Sequence, residues 1–140
     1  RLQLAKPPGW SEIRRRNAGV LAERLGRLAG LRVPLPGDEV RHAYYKFYAF
    51  VRPERLKEGW DRDRVQGAIA AEGIPVFSGS CSEIYLEKAF TPELRPAERL
   101  PVARELGETS LMFLVHPTLS EAEIEDACRA VEKVMAVATA

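Results

Sequence analysis

Cysteine is scarce in this chain of 140 residues, with Cys81 and Cys128 as the only two. Two lone thiols cannot make a disulfide framework, and no segment resembles a secretory signal, so the expected compartment is a reducing cytoplasm. Histidine is as sparse, limited to His42 and His116. No pair of these four side chains has the short spacing of a zinc site, and no metal centre is expected. An excess of charge is missing too. Lys and Arg number 21 against 20 Asp and Glu, which gives no electrostatic case for nucleic acid or an anionic membrane as partner. No apolar run approaches the roughly 20 residues that a transmembrane helix needs. The ten glycines form neither a G-x-G-x-x-G nor a Walker pattern that would cradle a phosphate.

What is present is ordinary for a globular domain. Hydrophobic residues make up 46% and charged residues 29%, and the length suits one domain with a hydrophobic core. The one basic run, Arg14-Arg15-Arg16, is spread by a helix over different faces and reads as a solvated surface. The chain opens on Arg1-Leu-Gln-Leu rather than Met, which suggests a piece of a longer protein.

Apolar residues Trp10, Ile13, Leu21, Leu25 and Leu28 recur at helical steps, predicting a helix over residues 10–28 that begins after Pro7-Pro8-Gly9 and stops at Gly30. A short extended piece follows over residues 31–37. Residues 40–51 are rich in aromatic and β-branched types and predict a strand ended by Pro53. Its parity puts His42, Tyr44, Lys46, Tyr48 and Phe50 on one face, and Ala43, Tyr45, Phe47, Ala49 and Val51 on the other, core-facing one. Asp61 is the expected cap of a second helix that breaks at Gly73. A short strand over 74–77 then leads into the polar loop Ser78-Gly-Ser80. A helix over 100–106 should end at Gly107, followed by an apolar, central strand over 110–115. Ser120-Glu-Ala-Glu123 has the capping-box form and launches a last helix with Ile124, Cys128, Val131 and Met135 on one stripe. Helices alternating with a few strands predict a small two-layer α/β domain whose short, mainly antiparallel sheet is covered by helices.

Candidate chemistry is thin. Cys81 in its Gly-Ser-Cys-Ser setting invites a nucleophile reading, but nothing in the spacing brings it to a base, and a small loop residue is the better reading. His116, before Pro117, reads as a turn histidine at a strand end.

Three segments in order carry more: His42-Ala-Tyr-Tyr-Lys-Phe-Tyr48, the loop Gly79-Ser-Cys-Ser-Glu-Ile-Tyr-Leu-Glu-Lys-Ala-Phe90 after Gly73-Ile-Pro75, and Leu100-Pro-Val-Ala-Arg-Glu105 with Ser110-Leu-Met-Phe-Leu-Val-His-Pro117. Together with Arg16-Asn-Ala18 they resemble the C-terminal part of the DegT/DnrJ/EryC1/StrS family of pyridoxal-phosphate (PLP) sugar aminotransferases. The resemblance implies a C-terminal domain of a fold-type I transferase. Residues 1–30 would then be a connecting helix from a large domain, and 31–140 the small α/β domain. It implies that the intact protein, a homodimer, transfers an amino group from glutamate to a nucleotide-linked keto-sugar. Its PLP would be bound mainly by the large domain. On that reading His42 and Tyr85 touch substrate, and this segment alone is inactive. No catalytic residue falls here, because Lys46 lacks the context of the family's Schiff-base lysine. In the loop, Cys81-Ser-Glu-Ile-Tyr85 keeps the family's tyrosine and departs from its histidine-tyrosine-x-x-proline pattern, which leaves the sugar open. The alternative expectation is a free-standing, non-catalytic α/β interaction domain.

Overall fold

Residues 7–140 are described by the structure, a computed structural model. The opening Arg1-Leu-Gln-Leu, the first part of the expected 1–30 connecting segment, lies outside them. In chain order the elements are α1 (Pro7–Leu25), β1 (Leu31–Arg32), β2 (Phe47–Val51), α2 (Arg62–Ala71), β3 (Val76–Phe77), α3 (Pro101–Thr109), β4 (Ser110–Phe113) and α4 (Glu121–Ala138). The strands form one antiparallel sheet in the order β1-β2-β4-β3. This is the small, helix-covered α/β domain that the sequence predicts.

Strand register decides what each layer contains, because residues opposite one another in an antiparallel pair share a face. Phe47 pairs with Phe113, Ala49 with Leu111, and Val51 with Leu31. All six are buried in one apolar cluster with Leu21 and Leu25 of α1, Val65 and Ile69 of α2, and Val131 and Met135 of α4. Burying a side chain of this kind stabilises the fold by about 1.5–3 kcal/mol. The alternate residues Tyr48 and Phe50 point to the opposite face, as does Met112, which is buried outside that cluster. One face of the sheet therefore carries α1, α2 and α4, while the other, where Arg32 beside Phe50 pairs with Glu105 of α3, meets α3 and the loops.

Local signals explain the starts of α2 and α4. The Asp61 side chain accepts a hydrogen bond from the Arg64 amide at 2.8 Å and caps α2. Ser120 and Glu123 form a reciprocal capping box at the start of α4. Across the helical layer, the Arg24 guanidinium donates to both oxygens of Glu132 at 2.6 Å and to Glu125 at 2.8 Å, joining α1 to α4. The paired guanidinium holds the Glu132 carboxyl below its usual range. Asn17, fully enclosed on α1, reaches the His116 carbonyl at 3.4 Å, beyond the end of β4.

Several expected boundaries are corrected. The strand predicted over 40–51 begins only at Phe47. Its ladder with β4 ends at the Phe47–Phe113 pair, and Tyr44 has a positive φ of 44° that no extended strand accommodates. Strand propensity without a partner edge does not make a strand. The face assigned to His42, Tyr44, Lys46, Tyr48 and Phe50 therefore survives only for Tyr48 and Phe50. On the other face, Phe47, Ala49 and Val51 are buried as expected, while Ala43 and Tyr45 are exposed. Helix α1 starts earlier than predicted and ends at Leu25. Its exit then tightens through i to i+3 bonds, from Arg27 N to Arg24 O and from Leu28 N to Leu25 O. Gly107 does not stop α3, which runs on to Thr109. A Cβ at Gly107 would lie 2.4 Å from Ser82 Oγ, so this glycine marks the close approach of a loop to the helix.

Candidate substrate-side site

The residues that the sequence singles out fall into separate groups. His42 sits on the irregular segment ahead of β2 and is exposed. The left-handed conformation of Tyr44 turns its amide toward the histidine, and Tyr44 N donates to His42 Nδ1 at 3.0 Å. The two rings meet edge to face, with centroids 4.3 Å apart. Tyr44 in turn stacks on Phe47 at 6.5 Å and so ties the turn to the core. With Nδ1 accepting, the proton of the neutral imidazole resides on Nε2. His42, Pro34, Tyr44, Lys46 and Tyr48 line a concavity of about 330 Å³.

Tyr48 is the wall between this concavity and a second one. Its ring lies against Gly79, and its hydroxyl is 3.4 Å from Ser80 Oγ. Gly79 and Ser80 line a space of about 650 Å³ under the 78–88 loop, together with Arg62, Cys81 and Lys88. Arg62 is anchored there by donating to the Ser110 carbonyl at 3.1 Å. The base of the loop is fixed to β4, since Ser110 Oγ donates to the Ser78 carbonyl.

Tyr85 lies further along, within a tether rather than in either concavity. Its hydroxyl donates to Glu83 Oε1 at 2.6 Å and accepts from the Leu100 amide at 3.0 Å. Arg99 clamps the same Glu83 with two nitrogens, Nε at 2.8 Å and Nη2. Glu83 is only 11% exposed. The guanidinium, helped by the tyrosine hydroxyl, holds the Glu83 carboxyl down at about 2. Burial pushes the Tyr85 phenol up, and so does the adjacent Glu83 carboxylate. A phenol has one proton, and Tyr85 has already committed it. Toward anything else this hydroxyl acts as an acceptor.

The structure does not bring His42 and Tyr85 into one concavity; Tyr48 and the loop base stand between the two groups. The Glu83–Arg99 clamp was not foreseen from the sequence, where nothing marks residues 16 apart as partners. Cys81 is exposed, and its thiol donates to Glu87 Oε1 at 3.2 Å. That carboxylate raises the thiol pKa, the opposite of what an activated nucleophile requires. His116 Nδ1 contacts Thr118 Oγ1 at 2.8 Å, as expected for a turn histidine.

The fit to PLP can be tested on the lysines. Lys57 donates to the Val137 carbonyl at 3.0 Å, and Lys133 pairs with Glu72 at 2.8 Å. Lys46 lies over the Tyr45 ring at 5.6 Å, and Lys88 is on the exposed loop. Among the described residues no lysine is buried, so the cofactor carbonyl finds no desolvated amine here. No group of three or more metal-ligating side chains occurs among the described residues, and no described helix is long and apolar enough to cross a membrane.

A short antiparallel sheet packed against helices is the fold of a C-terminal domain of PLP-dependent aminotransferases of fold type I. The chain belongs to the DegT/DnrJ/EryC1/StrS aminotransferase family, whose sequence profile matches residues 1–132. It is similar to the aminotransferase from Psychrobacter cryohalolentis, with 46% identity and a TM-score of 0.92 over 97% of this chain and 37% of that one. A family member from Brucella abortus is 25% identical, with a TM-score of 0.76 over 93% of this chain and 32% of its own. DesV of S. venezuelae, solved with a ketimine intermediate, shares the fold at 21% identity and a TM-score of 0.84, covering 96% of this chain and 34% of its own. The chain thus spans about a third of the length of the solved relatives it matches. No curated protein matches it.

Proposed function

We propose that the protein containing this chain transfers an amino group from glutamate to a nucleotide-linked keto-sugar. In this reading PLP, held by residues outside this chain, supplies the carbonyl that carries the amine. The chain covers the cleft as one part of a cytoplasmic homodimer and contacts the sugar. The observation that carries the reading is His42 on the rim of a concavity within a domain of this family, with Nδ1 satisfied and Nε2 free to donate to a sugar oxygen. Tyr85, whose hydroxyl donates its hydrogen bond to Glu83, contributes an acceptor. Neither side chain is asked to move a proton from carbon, and no step depends on a lysine of this chain.

The test uses the full-length protein, glutamate labelled in its amino nitrogen, and a panel of nucleotide-linked keto-sugars, with label in the sugar product read by mass spectrometry. Transfer to a keto-sugar, lost more through KM than through cofactor retention in H42N, supports the reading. Label appearing only in non-sugar ketones would sink it. Equal loss of turnover and retained cofactor in H42N would remove His42 from the substrate site.

A further inference from the structure

Tyr44 combines three features that strand or helix formation does not explain. Its φ is 44°, a conformation that non-glycine residues rarely adopt. Its amide is spent on the Nδ1 of His42, two residues back, rather than on the sheet. Its ring is fixed between the His42 ring at 4.3 Å and Phe47 at 6.5 Å. Phe47 is buried, so the turn is locked to the core and not only to itself. Local strain of this kind persists where surrounding contacts over-determine it, and such places cluster at sites of function.

From this we infer that Tyr44 is a positioning residue for His42, its left-handed backbone holding the imidazole as the Nε2–H tautomer facing the concavity. An exposed imidazole without such a partner can place its neutral-state proton on either nitrogen and can rotate about its side-chain bonds. The Tyr44 amide is a fixed donor, so it can be met only by an unprotonated Nδ1. The edge-to-face ring contact removes much of the remaining rotation. What His42 offers is then a hydrogen-bond donor of fixed direction, suited to an acceptor oxygen such as a ketone or phosphate oxygen. The tautomer assignment stands on geometry alone, whereas its use in recognising substrate rests on the reading of His42 given under Proposed function.

The conformational argument supplies its own test, because two substitutions remove the same ring but differ in how they tolerate positive φ. Gly and Asn accept the left-handed region, whereas the β-branched Val does not. In the full-length protein, at a pH above the ordinary histidine range, the NMR shifts of the His42 ring nitrogens report which one bears the proton; His42→Gln identifies the signals. The wild type, Tyr44→Gly and Tyr44→Asn are expected to show Nε2–H, with Tyr44→Val losing the tautomer preference by roughly tenfold. KM for the keto-sugar should rise in Tyr44→Val beyond its value in Tyr44→Gly. A role limited to ring packing would make Gly and Val equivalent, and that result overturns the inference, as does a wild-type ring protonated on Nδ1. Should Tyr44→Val fail to fold, the Asn variant still decides, since a tautomer shift in it also overturns the inference. Failure of the underlying reading is visible separately: His42→Gln would leave keto-sugar KM unchanged while the tautomer pattern of the Tyr44 series held.

Discussion

Gly79 and Tyr48 are packed so closely that a Cβ on the glycine would lie 2.5 Å from Cε1 of the tyrosine ring. The same glycine has φ of +90°, so both its backbone and its surroundings exclude a side chain. Through this contact the loop after β3 rests on Tyr48, the second residue of β2, and the wall between the two concavities takes shape. Gly79→Ala should cost about 1–3 kcal/mol from backbone strain alone, with the clash adding to it. Urea unfolding of the wild type and variant measures the cost, and an unchanged midpoint would mean that the loop does not rest on Tyr48.

The Glu83 carboxyl, with its pKa lowered to about 2 from an ordinary 4.5, makes the tether acid-sensitive in a defined window. A carboxyl depressed in the folded state adds stability that is complete above its unfolded pKa. That contribution fades as pH falls below about 4.5 and is gone once pH has passed about 2. Wild type should therefore exceed Glu83→Gln in stability near neutrality, and the gap should close across that window. Denaturant titrations of both proteins at stepped pH check this, and a gap independent of pH would show that the Arg99 clamp adds nothing through charge. The depressed Glu132 and Glu123 carboxyls contribute acid sensitivity of the same sign, so the comparison must be made against the Gln variant.

Ser82 and Gly107 offer a coupled pair. Alanine in a helix interior is better than glycine by roughly 0.5–1 kcal/mol, but here the new methyl would meet Ser82 Oγ at 2.4 Å. Gly107→Ala should therefore gain little or lose stability by itself, and should stabilise by about the helix-propensity amount when combined with Ser82→Ala. A double-mutant cycle from thermal melts measures the coupling. Strict additivity would place Ser82 away from the helix.

At the start of α4, Ser120 and Glu123 satisfy each other's backbone amides. Removing the hydroxyl in Ser120→Ala should cost about 1 kcal/mol. Ser120→Asp, which can accept the same bond, should restore most of it. Thermal denaturation of the three proteins is sufficient, and equal melting of the Ala and Asp variants would mean the box contributes no stability.

Features that depend on neighbours in sequence were legible before the structure. Asp61 caps α2, the Ser120–Glu123 box opens α4, and the apolar run of β4 is buried and internal to the sheet. Features that depend on a distant partner were not. The aromatic stretch before Phe47 reads as strand until one knows where the β4 ladder stops, and so His42 reads as a strand-face residue when it lies on the irregular segment ahead of β2. Gly107 reads as a helix stop until Ser82 is seen against it. Within the candidate site, His42 and Tyr85 are singled out by the family resemblance and not by periodicity or spacing. The Tyr44 backbone and the Arg99 clamp that govern their hydrogen bonding belong to tertiary geometry, which periodicity does not encode.

The tether of Glu83, Tyr85, Arg99 and Leu100 closes a neck beneath residues 88–98, whose hydrogen bonds, as described, end within that stretch or at Glu87. A loop tied at its own neck is a module. Its length and sequence can change without disturbing the sheet, because doubling it would add only about 0.6 kcal/mol of closure entropy. Residues 88–98 are thus the natural place to graft a foreign segment or an affinity handle.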